Sequence, residues 1–374
     1  MKNSHTLLLI EEAFERIQRF NYERYIKELE NISCSKKKPS RRKHIVNRIL
    51  EKFGFHLMRE TTFEEFEKYN KMGKWSSVGT FQLALKNPGK FDEVYNLFID
   101  EESKSVFDWF IQFRIAYAFL GEIAKFIFPP RISSDEFKKY KHKKRNIKKL
   151  YRNGFIKLES YRFLSDPSEV ASLWVFEQYN LKGLCEVSSG DFVVDGGAFK
   201  GETSFWFLSK GARRIYAFEG DAQNFEVLLK NIKLNKVEDK IIPVNKLLLD
   251  KNGISKIKMT GTGSSSILSE EGTEIECITL DSFVTQNNIE RIDFIKLDVE
   301  GAEINVLKGA IETIKKFKPK MAISVYHKPD DIITIPTFIH RLLPEAKFYL
   351  RHFSDSFSET ILFVNPRNEE RNDK

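Results

Sequence analysis

Phe192-Val193-Val194-Asp195-Gly196-Gly197-Ala198-Phe199-Lys200-Gly201-Glu202-Thr203 is the stretch that decides how the chain is read. A short β-branched run enters a glycine-rich turn, and the turn opens a helical pattern over residues 202–210, the start of a βαβ unit. Open α/β sheets place their ligands in the crevice beyond the carboxyl ends of the strands, so this turn predicts a site. A dinucleotide fingerprint would read G-x-G-x-x-G, with amides and a helix N-terminus collecting a diphosphate. Here the position two before Gly197 is Asp195. A carboxylate at a strand tip repels a diphosphate and suits a ligand that carries positive charge and ribose hydroxyls. The next strand candidate, 214–218, ends at Glu219, 24 residues beyond Asp195, where a carboxylate can accept hydrogen bonds from both hydroxyls of a ribose.

Working outward, strand candidates at 192–194, 214–218, 240–244, 292–297 and 320–325 alternate with helix candidates at 202–210, 222–234, 281–288 and 302–317. That alternation predicts a parallel sheet with helices on its faces. A closing pair of strands follows at 347–352 and 359–364, and extra strands at 254–259 and 274–279 read as an insertion, with Ser264-Ser265-Ser266 in a loop between them. The two acids at successive strand tips fit S-adenosylmethionine (SAM), which carries an ammonium, a sulfonium and ribose hydroxyls but no phosphate. The predicted cofactor-binding residues are Asp195, Gly196, Gly197, Gly201, Glu202 and Glu219.

Phe192-Val193-Val194-Asp195-Gly196-Gly197-Ala198 together with Tyr216-Ala217-Phe218-Glu219 resembles the FkbM-type family of SAM-dependent methyltransferases. The block Asp293-Phe294-Ile295-Lys296-Leu297-Asp298-Val299-Glu300-Gly301-Ala302-Glu303 is the most specific part of the resemblance. Leu307-Lys308-Gly309-Ala310, Tyr326-His327-Lys328-Pro329-Asp330-Asp331 and Tyr349-Leu350-Arg351-His352 extend it, so that it covers about residues 189–365. Gly220 departs from the family, which commonly has proline after the ribose acid. The resemblance implies a Rossmann-like class I methyltransferase fold: a mostly parallel seven-stranded sheet with an antiparallel last strand. It also implies methyl transfer to a hydroxyl, often on a sugar of a surface glycan or a secondary metabolite.

Methyl transfer to oxygen is an in-line displacement that needs a base for the hydroxyl proton. Asp298, Glu300 and His327 fall at the ends of the fourth and fifth strands, where the acceptor should sit. His327 is the predicted general base, with Asp298 or Glu300 orienting it or the acceptor. The same trio could hold a divalent metal, although no metal is predicted. A nucleic-acid acceptor is disfavoured, because the turn after the fourth strand reads Leu297-Asp298-Val299-Glu300 rather than a Pro-Pro-aromatic turn, and its acids would repel a phosphate backbone. A non-catalytic SAM-binding module is the other alternative.

The chain has 374 residues, 41% of them hydrophobic, enough for a large α/β domain and a smaller region. The expected division is an α-helical, basic region at 1–150 and a catalytic domain at 151–374. Helical patterns run over 7–29, 45–53, 62–69 and 91–128, the last ended by Pro129-Pro130, and the aromatic run 107–113 is expected to be core. The net charge of +8 is lopsided: residues 1–180 hold 34 Lys and Arg against 24 Asp and Glu, leaving 27 against 29 for the rest. Basic clusters at 36–43 and 138–152 read first as solvated linker charge, and otherwise as contact with an anionic membrane surface, a phosphorylated glycan carrier or a nucleic acid. Cys34, Cys185 and Cys277 lie far apart and read as reduced thiols, mostly buried, with neither a disulfide framework nor a zinc site. No signal peptide or membrane-spanning run is evident, so the expected location is cytoplasmic, with a peripheral association at the inner membrane face.

Overall fold

The computed structural model describes residues 4–20, 63–150, 155–258, 267–268, 272–354 and 356–366. The basic cluster at 36–43, Cys34, the helical pattern at 45–53 and the Ser264–266 stretch lie outside the described residues.

The first helices are α1 (His5–Gln18), α2 (Phe63–Lys86), α3 (Pro88–Tyr95), α4 (Glu101–Leu120) and α5 (Ser134–Leu150). The sequence pattern predicts a single helix over 91–128; the chain instead breaks at 96–100. Asp100 is the reason, because its carboxylate accepts from the Ser103 amide at 2.7 Å and restarts the helix as an N-cap. Phe107 to Phe113 are mostly buried apart from Asp108, as expected of core. A hairpin of β1 (Ile156–Leu158) and β2 (Tyr161–Phe163) follows, then α6 (Pro167–Phe176), an element the sequence reading did not anticipate.

The main unit contains β3 (Phe192–Gly196), α7 (Glu202–Ser209), β4 (Arg214–Phe218), α8 (Ala222–Asn235) and β5 (Ile241–Val244). The inserted strands β6 (Leu247–Leu248), β7 (Gly253–Lys258), β8 (Ile267–Leu268) and β9 (Thr273–Ile278) form a small separate sheet, ordered β6-β9-β7-β8. The chain continues through α9 (Leu280–Gln286), β10 (Phe294–Leu297), α10 (Glu303–Lys308), α11 (Ile311–Phe317), β11 (Lys320–Ser324), α12 (Asp331–Leu342), β12 (Lys347–His352) and β13 (Thr360–Asn365).

The seven-stranded sheet has the order β12-β13-β11-β10-β3-β4-β5. Its strands run parallel except β13, which slots antiparallel between β11 and β12. Alternate residues of each strand face opposite sides, and both sides are covered. Val194, Ile323, Leu350 and Val364 pack on one side with Leu9 and Ala13 of α1, Phe91 of α3 and Phe107, Phe113 and Tyr117 of α4. Val193, Ile215, Ala322 and Phe363 pack on the other with Phe205 and Phe207 of α7, Leu228 and Ile232 of α8, and Val170 of α6. Fully burying each large apolar side chain contributes about 1.5–3 kcal/mol, so the helical region shares in the stability of the sheet.

Cys185 and Cys277 are buried free thiols, as expected, and burial pushes Cys185 up to about 12. Among the described residues no helix is long and apolar enough to cross a membrane.

Candidate active site

The sheet order puts β3 beside both β4 and β10, so the chain crosses in opposite directions from β3 and a crevice opens at the carboxyl ends of these strands. A cavity of about 440 Å³ occupies this place. It is lined by Gly197, Glu202, Glu219, Asp298, Glu300 and His327 from the predicted set, so the structure brings these six together. Asp195, Gly196 and Gly201 do not line it.

The glycine turn depends on close backbone approach. Gly197 has φ of +76°, and a Cβ there would overlap the Asp298 carbonyl oxygen. The turns after β3 and β10 therefore touch, backbone to backbone. Lys296, 1% exposed, pins this junction by donating from Nζ to the carbonyls of Gly196 at 3.1 Å and Gly197 at 2.6 Å.

Asp195 does not face the ligand crevice, contrary to the expectation from its position two before Gly197. It is fully buried, with Oδ1 3.1 Å from Lys296 Nζ and Oδ2 accepting from the Thr203 and Ser204 hydroxyls at 2.7 Å each. Its charge is balanced by Lys296, and it ties β3 to β10 and to the start of α7. Rejection of a diphosphate therefore falls to the carboxylates that do line the cavity.

Glu219 is one of them. Its Oε2 accepts from the Phe199 amide at 2.8 Å and its Oε1 from the Asp221 amide at 2.7 Å, which fixes the carboxylate at the tip of β4 with lone pairs left for a diol. Burial pushes it up to about 7 despite these amides. Glu202 is also pushed up to about 7 by burial, and it accepts from the Ser165 hydroxyl.

At the other end of the cavity, His327 is 4% exposed. Its Nδ1 lies 3.0 Å from Glu303 Oε1, and its Nε2 lies 3.6 Å from Asp298 Oδ1 and 3.5 Å from Glu300 Oε2. Burial alone would lower the imidazole, but Glu303 and Glu300 outweigh it and raise it well above 6.5. His327 is thus held as an imidazolium near neutral pH, and the base role expected of it would first require loss of that proton. Burial raises Glu300 to about 7, partly offset by His327. Burial also opposes ionisation of Asp298, but His327 and Lys296 prevail and hold it below its ordinary value. Glu300 stands at φ of +54°, a left-handed conformation that costs a non-glycine residue roughly 1 kcal/mol or more and turns its carboxylate toward the site.

Several site residues were not anticipated. Tyr179, 2% exposed, donates to Asp298 Oδ2 at 2.7 Å. Glu169 of α6, Gln178 and Glu359 line the same cavity. Ser76 of α2 does so as well, so the helical region forms part of the wall. The only sequence signal among these was Asp166-Pro167, which can start a helix and so mark α6.

Arg114 of α4 secures that wall. Fully buried, it donates to the carbonyls of Tyr326 at 2.8 Å and Phe357 at 3.1 Å and to the Ser76 hydroxyl at 3.0 Å. Gly73 and Gly79 of α2 sit so close to Phe357 and Pro329 that a Cβ at either position would collide.

A seven-stranded sheet in this order, one strand antiparallel and a cavity at the tips of β3, β4 and β10, is the Rossmann-like class I methyltransferase fold. Residues 195–352 match the Methyltransferase FkbM domain, and the chain carries that domain. A segment of 59 residues is 48% identical to the tRNA (guanine(37)-N(1))-methyltransferase Trm5b of Methanocaldococcus jannaschii, covering 16% of this chain and 17% of that protein. Another of 136 residues is 26% identical to the hexuronic acid methyltransferase AglP of Haloferax volcanii, covering 36% of this chain and 54% of AglP. The matches therefore span less than two thirds of either relative. Among solved structures, methyltransferase FkbM from Methylobacillus flagellatus KT aligns at 20% identity with a TM-score of 0.49, over 75% of this chain and 59% of that one.

Proposed function

We propose that this methyltransferase uses SAM to methylate a hydroxyl group, on a sugar of a glycan or secondary metabolite. The observation that carries the reading is the FkbM domain's cavity, with Glu219 fixed at one end and the Asp298, Glu300 and His327 cluster at the other. The lining fits the cofactor. Six carboxylates (Glu169, Glu202, Glu219, Asp298, Glu300, Glu359) face a space with no arginine, which suits a sulfonium and an ammonium and opposes a diphosphate. Glu219 is placed for the ribose diol, and Leu247, Leu248 and Phe218 supply an apolar wall for a base. Bound there, SAM supplies a methyl group on a positively charged sulfur, which departs as a neutral thioether when the methyl bonds to oxygen.

The chain's own residues handle the acceptor. Asp298, held ionised and oriented by the Tyr179 hydroxyl, accepts a hydrogen bond from the attacking hydroxyl. Glu300, pushed up to about 7, takes its proton, a value suited to accepting one near neutral pH. His327 steadies both carboxylates as an imidazolium. No step needs a metal in this reading, although Asp298, Glu303 and His327 have ligand atoms within 4.8 Å of one another. A nucleic-acid acceptor finds little support in an acid-lined cavity, since phosphates would approach like charge.

Calorimetry with SAM tests the cofactor. Wild-type protein should bind, Glu219→Gln should bind less tightly, and no heat at millimolar SAM would overturn the reading. Mass spectrometry of glycans from cells with and without the gene should then show loss of the mass of one CH₂ per acceptor.

A further inference from the structure

Five side chains around Asp298 close into a ring of hydrogen bonds. The Tyr179 hydroxyl donates to Asp298 Oδ2 at 2.7 Å, and Gln178 Nε2 donates both to the Tyr179 hydroxyl at 2.9 Å and to Glu359 Oε2 at 2.8 Å. The Tyr326 hydroxyl closes the ring, 3.3 Å from Glu359 Oε1 and 3.4 Å from Asp298 Oδ1. Asp298, Tyr326 and Glu359 stand at the tips of three adjacent strands, β10, β11 and β13, while Gln178 and Tyr179 follow α6. All five line the cavity.

The ring has a direction, and Gln178 sets it. A hydroxyl can donate or accept, whereas an amide nitrogen only donates. Gln178 commits its two N–H groups to Tyr179 and Glu359, and because Tyr179 accepts from the amide, its own proton is turned to Asp298. Tyr326 stands between two carboxylates at longer distances and can donate to only one at a time, so the shorter Tyr179 bond dominates the aim of the Asp298 carboxylate. The segment carrying the amide is itself held from behind. Glu177 stands at φ of +48° with its carboxylate bonded to Lys210 at 2.7 Å and to the Asn180 amide at 2.9 Å, which fixes the turn that presents Gln178 and Tyr179. Lys296, which pins the glycine turn, also lies 5.3 Å from the centre of the Tyr179 ring, so one lysine backs both the cofactor turn and this tyrosine.

We propose that Gln178 is a positioning residue for methyl transfer: anchored on Glu359, it acts through Tyr179 to aim Asp298 at the attacking hydroxyl. This rests on the O-methyl transfer reading above and adds to it a residue that acts on the reacting atoms only through another side chain.

The test supplies the full-length protein and radiolabelled SAM with an extract of cells lacking the gene, which retains the unmethylated acceptor, over a range of extract concentrations. Gln178→Met, and Gln178→Leu as a second apolar replacement, should lower kcat by about tenfold or more, the scale of a misaimed reacting group, with acceptor KM and calorimetric SAM affinity nearly unchanged. Tyr179→Phe should do the same. The double variant of Gln178→Met with Tyr179→Phe should be no slower than Tyr179→Phe alone, since both changes cut one path to Asp298, whereas independent effects would multiply to about a hundredfold. Multiplied losses, a raised KM with kcat intact, wild-type kcat in the Gln178 variants, or loss of SAM affinity or of folding by circular dichroism in both of them overturns the proposal. Wild-type protein that binds SAM yet labels nothing in the extract overturns the O-methyl reading, and failure to bind SAM overturns the cofactor reading, each taking this one with it.

Discussion

Replacing Arg114 by alanine removes a buried guanidinium from between α4 and the two loops that bring Tyr326 and Phe357 to the cavity wall. The carbonyls of Tyr326 and Phe357 lose donors at 2.8 and 3.1 Å, and Ser76 loses one at 3.0 Å. Stranding a buried carbonyl costs about 1–3 kcal/mol. Phe110 and Phe357 also lose the cation held over their rings at 4.8 and 5.3 Å. Removing a buried charge returns part of its desolvation cost, so the net loss should be about 2–5 kcal/mol. That is a large share of a typical stability of roughly 5–15 kcal/mol. Urea unfolding followed by tryptophan fluorescence measures it, and Arg114→Met, which keeps most of the volume, separates the lost bonds from the lost packing. If the acceptor sits beside His327 as proposed, protein that remains folded should show a raised acceptor KM with nearly unchanged SAM affinity, because Tyr326 and Phe357 line that part of the cavity while Glu219 lies at the tip of β4. An alanine variant within about 0.5 kcal/mol of wild type, the range of an ordinary surface substitution, would refute the argument.

Gly197→Ala should abolish SAM binding or folding, since its Cβ would overlap the Asp298 carbonyl; a variant that binds SAM normally by calorimetry would contradict the close approach. His327→Gln should lower kcat by more than tenfold while sparing SAM affinity, as measured by steady-state kinetics beside calorimetry. Glu202, Glu219, Glu300 and Asp331 are raised to about 7 and Glu359 to about 8. The folded protein thus holds protons that the unfolded chain has already released, and His327, also raised, adds to this. Stability should therefore fall as pH rises from 6.5 to 8.5, while SAM, a cation, should bind more tightly; urea midpoints and SAM titrations at both pH values check the signs. If the exposed Lys138, Lys139 and Lys141 of α5 help dock the enzyme on an anionic surface, it should sediment with phosphatidylserine vesicles at low salt and be released at high salt.

The catalytic half was legible because its signals are local. A strand, a glycine turn and a helix start occupy twelve consecutive residues, and Glu219 and Asp298 follow their strands directly. What the sequence hid were contacts made across the fold. Asp195 looked like a ligand residue, but Lys296, a hundred residues away, draws it into the core. Glu169, Tyr179, Glu359 and Ser76 come to the cavity from four separate segments, and no spacing pattern connects them. The proton held by His327 depends on Glu303 and Glu300 meeting it after folding, so residue type alone suggested a free base. The interruption of the helical pattern at 96–100 was hidden differently: Asp100 reads as one more polar residue until its carboxylate is seen on the Ser103 amide.

The two glycines of α2 have a consequence for how such enzymes diverge. Gly73 rests on Phe357, which lines the cavity, and Gly79 on Pro329, two residues beyond His327. Any side chain gained at either position would press these partners inward and reshape the room beside His327. Changes in a helix more than a hundred residues ahead of the cofactor turn can therefore retune which molecule is accepted while the transfer machinery is left alone.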